Sequence, residues 1–432
     1  NMSHYSKDFD LETTVENIRA IAKTNNKSIS IIMDLPGPKI RTENSDSIEI
    51  IRGREYTIGH GGDIPISSDI KFKNLTRGAK VKIDDGKLSF KVSNKNSNAS
   101  ATLKAMVSGE IGTNKGVNIS GLGIQLPSVG KKDIKYAKMA LNLNFDWIAL
   151  SFVRSSDDRA PLDKLFKKQK QRIPLIAKIE KSEAINNIES IVDSFDGVLI
   201  ARGDLGLEME LQEVPSLQKK IIKICNQKCT PVITATQMLE SMINNPLPTR
   251  AEVSDVASAI YDGSDAIMLS GETAIGKFPL ESIRMMKTIS LSVEREIAEN
   301  SEFSSLILTP DPTSVKKSIC LSAYQMAKDL DIKVMITMTE SGDTGNTMSS
   351  FRPVASIISM TPSERVYRRL SLSWGITPVK ARKYKSTDQM LVFCKKFLIK
   401  NNIIKKGEAF IMTAGVPVGV TGTTNMIKVE TL

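Results

Sequence analysis

The chain has 432 residues, of which 41% are hydrophobic and 25% charged, and its formal net charge is +11. This composition excludes a disordered chain, the length fits two or three domains, and no apolar stretch reaches the ~20 residues that a membrane helix needs. The lysines are scattered and only 5% of the residues are aromatic, so the stacking surface and basic stripe of a nucleic-acid-binding protein are missing. We expect no membrane and no nucleic-acid partner, and small anionic substrates account for the charge.

Cysteine and histidine are scarce. Four dispersed cysteines are too few for a disulfide framework in a chain of this length, which favours a reducing compartment. Cys225 and Cys229 stand four residues apart on a predicted helix, but no second pair follows, and the histidines are His4 and His60. The sequence therefore argues against a zinc site and against most Ser-His and Cys-His mechanisms.

Six hydrophobic runs in the first two thirds of the chain each end in charged or hydroxyl residues. A buried parallel strand is typically a continuous apolar run, and a (β/α)8 barrel carries its chemistry at the carboxyl ends of such strands. Helical patterns separate the runs, as in repeated βα units. We therefore predict an α/β protein with a TIM barrel, whose strand ends carry Asp34, Ser151, Lys178 with Glu180, Asp204, Thr236, and Ser270 with Glu272.

The pattern of apolar and polar residues changes twice along the chain. These changes predict two further domains beside a barrel domain of residues 1–36 and 117–297. From 37 to 116, short alternating stretches predict an inserted β-barrel domain that acts as a lid over the barrel mouth, with a purely structural insertion as the alternative. From 298 to 432, a new α/β series predicts a C-terminal domain. Its first strand ends in TESGDTGNT, which fits either a phosphate at a helix N-terminus or a plain capping turn.

The run PLIAKIEK carries the strongest chemical signal. Glu180 and Asp204 end neighbouring predicted strands, and two carboxylates suit a Mg²⁺ or Mn²⁺ ion that bridges a phosphorylated substrate. Lys178 shares the strand face of Glu180, so its ammonium would stabilise developing negative charge. A structural salt bridge is the alternative, although charges inside an apolar run are costly. Gly203 would let a backbone amide approach a substrate carboxylate, unless it is an ordinary turn glycine.

Several long strings resemble a known family. MDLPGPKIRT, KGVNISG, LSFVR, IAKIEK, IARGDLG, TATQMLESM, PTRAEVSDVA and IMLSGETA occur in the order and spacing of pyruvate kinase, over essentially the whole chain. The resemblance implies the last step of glycolysis, in which phosphoenolpyruvate and ADP give pyruvate and ATP, and it implies Mg²⁺ or Mn²⁺ and a cytoplasmic homotetramer. Two alternatives stay open: an inactive or regulatory homologue, and another metal-dependent TIM-barrel enzyme that uses phosphoenolpyruvate.

The resemblance also assigns roles to single residues. It implies that Glu180 and Asp204 bind the divalent metal and that Arg41 and Lys178 meet the phosphoryl group. Thr236 resembles a substrate-side threonine near the protonation path, and Gly203 with Asp204 would hold the substrate carboxylate. Ser270 and Glu272 match the family's proposed proton relay. Asn1, His4 and Lys115 match nucleotide-side residues, and Asp85 matches a lid residue.

Asn1, Ser3, Asp34 and Leu35 match residues that surround a monovalent cation in the family. Potassium-dependent relatives commonly carry Thr and Glu where this chain has Leu35 and Lys39. A lysine ammonium is a compact charge that can take the place of the ion. We therefore expect that potassium is not required.

The family's first strand and helix, most of its second strand and an arginine before Asn1 have no counterpart in this sequence, and Tyr5 replaces a glycine. We expect an N-terminal barrel unit to be missing, and an eight-stranded barrel cannot close without it. The sequence leaves open whether a targeting segment precedes Asn1.

In the C-terminal domain, the resemblance implies an effector-phosphate loop with contacts from Thr339, Ser341, Gly342 and Thr344. Asp343 stands where some members carry a basic residue. Its charge would repel a second phosphate, which favours a monophosphate effector over fructose 1,6-bisphosphate.

Overall fold

The computed structural model describes residues 1–6, 8–67, 70–72, 75–119, 127–300, 313–419 and 422–432. Within those ranges, no helix is both long and apolar enough to cross a membrane. The end of the KGVNISG string lies outside the described residues.

The regular elements alternate in the order that the apolar runs predict. In chain order, the strands are β1 (Ile32–Asp34), β2 (Ile40–Arg41), β3 (Ile48–Ile50), β4 (Glu55–Gly59), β5 (Ile64–Pro65), β6 (Lys80–Ile83), β7 (Leu88–Lys95), β8 (Ser100–Ala105), β9 (Gly109–Ile111), β10 (Gly116–Ile119), β11 (Trp147–Leu150), β12 (Leu175–Ile179), β13 (Gly197–Ala201), β14 (Val232–Ala235), β15 (Ala266–Met268), β16 (Val334–Met338), β17 (Ser356–Thr361), β18 (Ile376–Lys380), β19 (Ala409–Gly415) and β20 (Thr424–Thr431). The α-helices are α1 (Leu11–Thr24), α2 (Lys131–Asn142), α3 (Ala160–Gln169), α4 (Ser182–Asn186), α5 (Ile188–Ser194), α6 (Arg202–Glu208), α7 (Val214–Lys228), α8 (Arg250–Tyr261), α9 (Gly271–Ala274), α10 (Pro279–Glu299), α11 (Val315–Asp329), α12 (Asp343–Ser350), α13 (Glu364–Arg369) and α14 (Thr387–Lys400). Short 3-10 helices cover Met2–His4, Ser156–Arg159, Leu211–Glu213, Glu240–Ile243 and Leu370–Leu372.

The barrel sheet consists of parallel strands in the order β1-β11-β12-β13-β14-β15. One face packs beneath the helices through residues such as Leu175, Ala177 and Ile179. The other face forms a separate core with Trp147 and Ile176. Because side chains alternate along a strand, Lys178 continues the inner face of Ile176. This repeated βα architecture confirms the predicted TIM-type fold, and β1 and β15 are the edge strands of the sheet in the described residues.

The inserted segment forms a seven-stranded sheet in the order β2-β10-β6-β7-β8-β4-β5, together with the β3-β9 pair. Alternate side chains of these strands point inward, and Phe90, Ile58 and Leu103 are almost fully buried in its core. The sheet therefore has an apolar core of its own.

The C-terminal segment forms a five-stranded sheet in the order β18-β17-β16-β19-β20, in which only β20 runs antiparallel to its neighbour. The three sheets follow the predicted order of domains, whose limits stay predictions.

Two buried carboxylates join the C-terminal domain to the barrel. Asp146 is fully buried and accepts hydrogen bonds from Arg19 Nη2 at 2.6 Å and from Arg368 Nε at 2.7 Å. Arg352 Nη1 lies 2.9 Å from Asp265 Oδ1, and these side chains are 4% and 6% exposed. Charge-assisted bonds in a buried setting fix the direction in which the two domains meet.

Candidate active site

Lys178 is the centre of a polar cluster at the carboxyl edge of the barrel sheet. Its Nζ lies 2.9 Å from Glu180 Oε1, 3.1 Å from Asp34 Oδ1 and 2.9 Å from Ser151 Oγ. Ser151 in turn donates a hydrogen bond of 2.7 Å to the Leu35 carbonyl. The ends of three adjacent strands, β1, β11 and β12, thus meet at one ammonium group.

The Lys178–Glu180 pair is largely buried. The Glu180 side chain is 1% exposed, and its Oε2 accepts the backbone N–H of Phe152 at 2.7 Å. Burial raises the pKa of Glu180, and the nearby Asp204 carboxylate raises it further, against the opposite effect of Lys178. Burial lowers the pKa of Lys178, but Glu180 and Asp34 outweigh it, so the pKa is raised overall and the ammonium keeps its charge.

Asp204 lies across the cleft from the inserted sheet. Lys39 Nζ is 3.7 Å from Asp204 Oδ1 and 3.6 Å from Asp85 Oδ1. Within the described part of the chain, Lys39 forms no ion pair with Asp34. The Lys39 ammonium, which we expect to take the place of potassium, therefore pairs with Asp204, the proposed ligand of the divalent metal. The carboxylate of the proposed monovalent-cation site, Asp34, pairs with Lys178 instead.

The donor set for a divalent metal is a pair of carboxylates. The described residues contain no group of three or more His, Cys, Asp and Glu suited to a metal. Glu180 and Asp204 are near enough for the charge of one to raise the pKa of the other, and a cation between them would relieve that repulsion. Mg²⁺ is commonly bound through one or two carboxylates and substrate phosphates, so these residues fit it.

Thr236 and Gly203 face each other across the ends of β13 and β14. The Gly203 N–H donates a 2.8 Å hydrogen bond to Thr236 Oγ1, and Thr236 Oγ1 donates one of 2.7 Å to the Ala235 carbonyl. Thr236 and Gln237 both have left-handed backbone angles, with φ of 66° and 54°. Such angles cost about 1–2 kcal/mol per non-glycine residue and cluster at functional sites.

Arg202 is a residue of this site that sequence reasoning missed. Its guanidinium binds the Thr236 carbonyl through Nη2 at 2.7 Å and through Nε at 3.2 Å. The string IARGDLG drew attention to Gly203 and Asp204, whereas the arginine between Ala201 and Gly203 received no role. The available signal was a charged residue directly after a buried strand.

Ser270 and Glu272 lie at the end of β15. The Glu272 carboxylate is fully buried and accepts the backbone N–H groups of Leu239 at 3.0 Å and of Ser270 at 2.7 Å. Both Oε atoms are thus held by amides, and neither residue joins the Lys178 cluster. Their role in a proton relay stays a prediction.

Arg41, the predicted phosphate contact, lies on β2, and Lys115, the predicted nucleotide-side residue, directly precedes β10. Arg41 donates a 3.1 Å hydrogen bond to the Asn114 carbonyl and stands opposite Gly116 on β10. Lys115 pairs with Asp84 at 2.9 Å. Arg41 is not among the partners of Lys178, so its expected contact with a phosphate stays a prediction.

The inserted sheet contacts the barrel along α6. Lys82 Nζ donates a 3.2 Å hydrogen bond to the Gly206 carbonyl, and Lys80 pairs with Glu210. A cleft between the two domains is lined from both sides, by Lys39, Lys82 and Asp85 and by Phe152, Arg154, Lys181, Asp204 and Glu208.

The first residues of the chain form a short 3-10 helix that packs against β1. Asn1 Oδ1 accepts the Ser3 N–H at 2.9 Å, and Met2 is buried in the outer barrel core. His4 is exposed. Asp34 binds Lys178 and the Leu35 carbonyl accepts Ser151, so these two expected ligands already have protein partners, and the monovalent-cation site stays a prediction.

A second cleft lies in the C-terminal domain. The expected loop residues Thr339, Ser341 and Thr344 line it together with Arg382 and Tyr384. The Gly342 N–H binds Thr339 Oγ1 at 2.9 Å at the start of α12. Asp343 Oδ2 lies 3.9 Å from Lys316 Nζ, so this carboxylate offsets a cation at the edge of the cleft.

A TIM-type barrel sheet with Lys178, Glu180 and Asp204 at its carboxyl edge, facing a cleft beneath an inserted β domain, defines a barrel enzyme with a charged interdomain site. Family models of this class match the chain: "Pyruvate kinase, barrel domain" over residues 1–283 and "Pyruvate kinase, alpha/beta domain" over residues 317–430. The chain therefore belongs to the pyruvate kinase family.

The similarity to individual proteins supports the same family. The pyruvate kinases of Staphylococcus aureus strains MRSA252 and USA300 are each 39% identical over 440 residues, which cover 100% of this chain and 75% of theirs. The crystal structure of a pyruvate kinase from Cryptosporidium parvum superposes with a TM-score of 0.91 at 32% identity, covering 100% of this chain and 90% of that one.

Proposed function

We propose that this chain transfers the phosphoryl group of phosphoenolpyruvate to ADP at the Lys178 cluster. A β-phosphate oxygen of ADP attacks phosphorus, the bond from phosphorus to the enol oxygen breaks, and that oxygen keeps the electron pair. Protonation of the resulting enolate at carbon then gives pyruvate. The observation that carries the proposal is a charged, largely buried Lys178 ammonium held at the mouth of the sheet by Glu180 and Asp34.

Each residue contributes through its position. Lys178 supplies a fixed positive charge where negative charge develops, and a preorganised charge in a water-poor site is worth more than one in bulk water. Gly203 has a backbone N–H directed at Thr236 Oγ1, and both groups suit a substrate carboxylate. Arg41 would approach the phosphoryl group from the inserted sheet, and the nucleotide would meet Asn1, His4 and Lys115.

Glu180 and Asp204 would hold Mg²⁺ or Mn²⁺. The ion would neutralise phosphate charge when bound. The proton relay through Ser270 and Glu272 belongs to the same proposal. A cytoplasmic location and a homotetramer belong to it as well, and sedimentation analysis would test the homotetramer.

The test is a lactate dehydrogenase-coupled assay with phosphoenolpyruvate, ADP and Mg²⁺ on the native protein and on Lys178→Met. Removing one preorganised donor costs about 3 kcal/mol, or more than 100-fold in turnover. Lys228→Met is the matched control, because Lys228 pairs with Asp193 on α5, away from the cluster. Near-native turnover of Lys178→Met would remove its assigned role, and a native protein without activity would favour the inactive homologue.

The same assay without ADP tests the remaining alternative. Consumption of phosphoenolpyruvate in the absence of ADP would favour another enzyme of the barrel class. The docked lid, with Lys82 bonded to Gly206 of α6, supports a reaction with a second, nucleotide substrate.

A phosphorylated effector is the second proposal, supported by the cleft that Thr339, Ser341, Thr344 and Arg382 line. Gly342 contributes an N–H at the start of α12. Because Asp343 offsets Lys316, a sugar monophosphate should activate at lower concentration than fructose 1,6-bisphosphate. Activation by the bisphosphate at lower concentration would contradict this preference.

A further inference from the structure

The loops that follow β13 and β14 are tied together at three points. Arg202 binds the Thr236 carbonyl through two nitrogens, at 2.7 and 3.2 Å, and Nη2 also contacts the Gln237 carbonyl at 3.2 Å. The next residue, Gly203, donates its N–H to the Thr236 hydroxyl. The Thr236 main chain and side chain are therefore held by consecutive residues of one loop.

The Arg202 side chain is fixed by two neighbouring helices. Its Nη1 bonds Asp255 Oδ1 of α8 at 2.7 Å and Gln218 Oε1 of α7 at 3.4 Å. The side chain is only 9% exposed. A planar fork with carbonyls on one edge and a carboxylate on the other has little freedom to rotate.

The backbone of Thr236 and Gln237 needs such a clamp. Both residues have left-handed angles, and non-glycine residues keep those angles only when surrounding contacts enforce them. The left-handed turn brings both carbonyls within reach of Arg202. Without the guanidinium, the Thr236 hydroxyl would lose its fixed distance from the Gly203 amide.

We propose that Arg202 is a positioning residue, which acts through Thr236 and sets the distance between the Thr236 hydroxyl and the Gly203 amide for the substrate. The inference rests on the proposed function, because it gives these groups a substrate to bind. The guanidinium bonds of Arg202 in the described structure go to protein groups, to the Thr236 and Gln237 carbonyls on one side and to Asp255 on the other. Loss of Arg202 should therefore weaken the binding and turnover of phosphoenolpyruvate and leave the binding of ADP unchanged.

The experiment is a double-mutant cycle of Arg202→Met and Thr236→Ala in the native full chain, with KM for both substrates, kcat and the unfolding midpoint measured. Misplacing a reacting group by about 1 Å can cost about 100-fold, so Arg202→Met should lower kcat/KM for phosphoenolpyruvate by about that factor. The KM for ADP should change less than about twofold. In the Thr236→Ala background, Arg202→Met should have little further effect, because coupled residues are not additive.

The controls separate positioning from folding. Arg159→Met removes a comparable partly buried arginine that pairs with Asp163 at 2.7 Å and should leave both KM values unchanged. Arg202→Lys, which keeps the charge but not the fork, should recover part of the loss. If Arg202→Met does not fold, Arg202→Lys and Asp255→Asn take its place in the cycle, with smaller losses in the same direction.

Two outcomes would overturn the inference: kinetics of the Arg202 variants that match Arg159→Met, or an Arg202 effect of the same size with and without Thr236. Lys178→Met in the same assays identifies the source of failure. If Lys178→Met is inactive and the Arg202 variants are native-like, only the positioning role fails. If Lys178→Met is native-like, only the role of Lys178 fails, and if the native protein itself shows no turnover, the proposed function fails.

Discussion

Lys178 Nζ lies 2.9 Å from Glu180 Oε1, and the two side chains are 13% and 1% exposed. A buried pair of this kind costs desolvation energy on both sides, and removing one partner leaves the other charge uncompensated. Substitution of either residue should therefore change both turnover and the free energy of unfolding, so both quantities have to be measured for each variant.

We expect Lys178→Met to lower the free energy of unfolding by about 3 kcal/mol, because the Glu180 carboxylate then has no buried counter-ion. Adding Glu180→Gln should restore most of that stability without restoring turnover. Chemical denaturation of the single and double variants gives the stability, and the coupled assay gives turnover. Recovery of turnover in the double variant would reduce Lys178 to a structural partner of Glu180.

We expect Glu180→Gln and Asp204→Asn each to weaken Mn²⁺ binding at least about tenfold, since even partners outside the ligand set change affinity 10- to 100-fold. Direct titration with Mn²⁺ measures this without reference to activity. Glu183→Gln is the matched control, because Glu183 lines the same cleft and is not a proposed ligand. Native affinity in both variants would place the metal elsewhere.

Lys39 lies beside Asp204 and Asp85, so its fixed positive charge is already in the cleft. We expect the native protein to stay active when tetramethylammonium is the only monovalent cation, and Lys39→Glu to become potassium-dependent. Lys23→Glu, on α1, is the control for a change of charge alone. A strict potassium requirement of the native protein would end the hypothesis.

Asp146 neutralises Arg19 and Arg368 at the junction of the barrel and the C-terminal domain. Asp146→Asn should cost about 3 kcal/mol, because it leaves two guanidinium groups without their buried counter-ion. Asp163→Asn removes a more exposed carboxylate, 42% exposed, and should cost less than about 1 kcal/mol. Equal losses in the two variants, measured by denaturant unfolding, would contradict the role of Asp146.

Glu252 closes the capping box of α8. Burial raises its pKa, but hydrogen bonds from Ser241 and Thr249 outweigh burial and hold the pKa below its ordinary value of 4.5. A lowered carboxyl pKa adds stability that is present above the ordinary value and is lost as the pH falls through the folded-state value.

Glu252→Gln should therefore be less stable than the native protein by about 1–2 kcal/mol at pH 7, and the difference should shrink below about pH 4.5. Unfolding curves between pH 3 and 7 measure the difference, with Glu281→Gln in the first turn of α10 as the control. A difference that does not change with pH would show that the charge of Glu252 is not responsible.

The barrel strands could be predicted from the sequence because their signal is local. An apolar run such as PLIAKI can bury both faces only inside a sheet, and the charged residues after it must then lie at one edge. Lys178 and Glu180 therefore had to lie at the end of β12, and the long strings identified the family. The roles of single residues stay predictions, because motif matching carries no distances.

The partners that these side chains take depend on how distant segments fold together. Lys39 meets Asp204 because the inserted sheet docks on α6, and the Glu272 carboxylate is held by the amides of Leu239 and Ser270. Arg202 reaches Thr236, 34 residues later, because two left-handed residues turn their carbonyls toward it. The order of the strands along the chain and the charges at their ends follow from local sequence patterns alone. The direction of a long side chain depends on backbone angles and packing in distant segments, which no local pattern encodes.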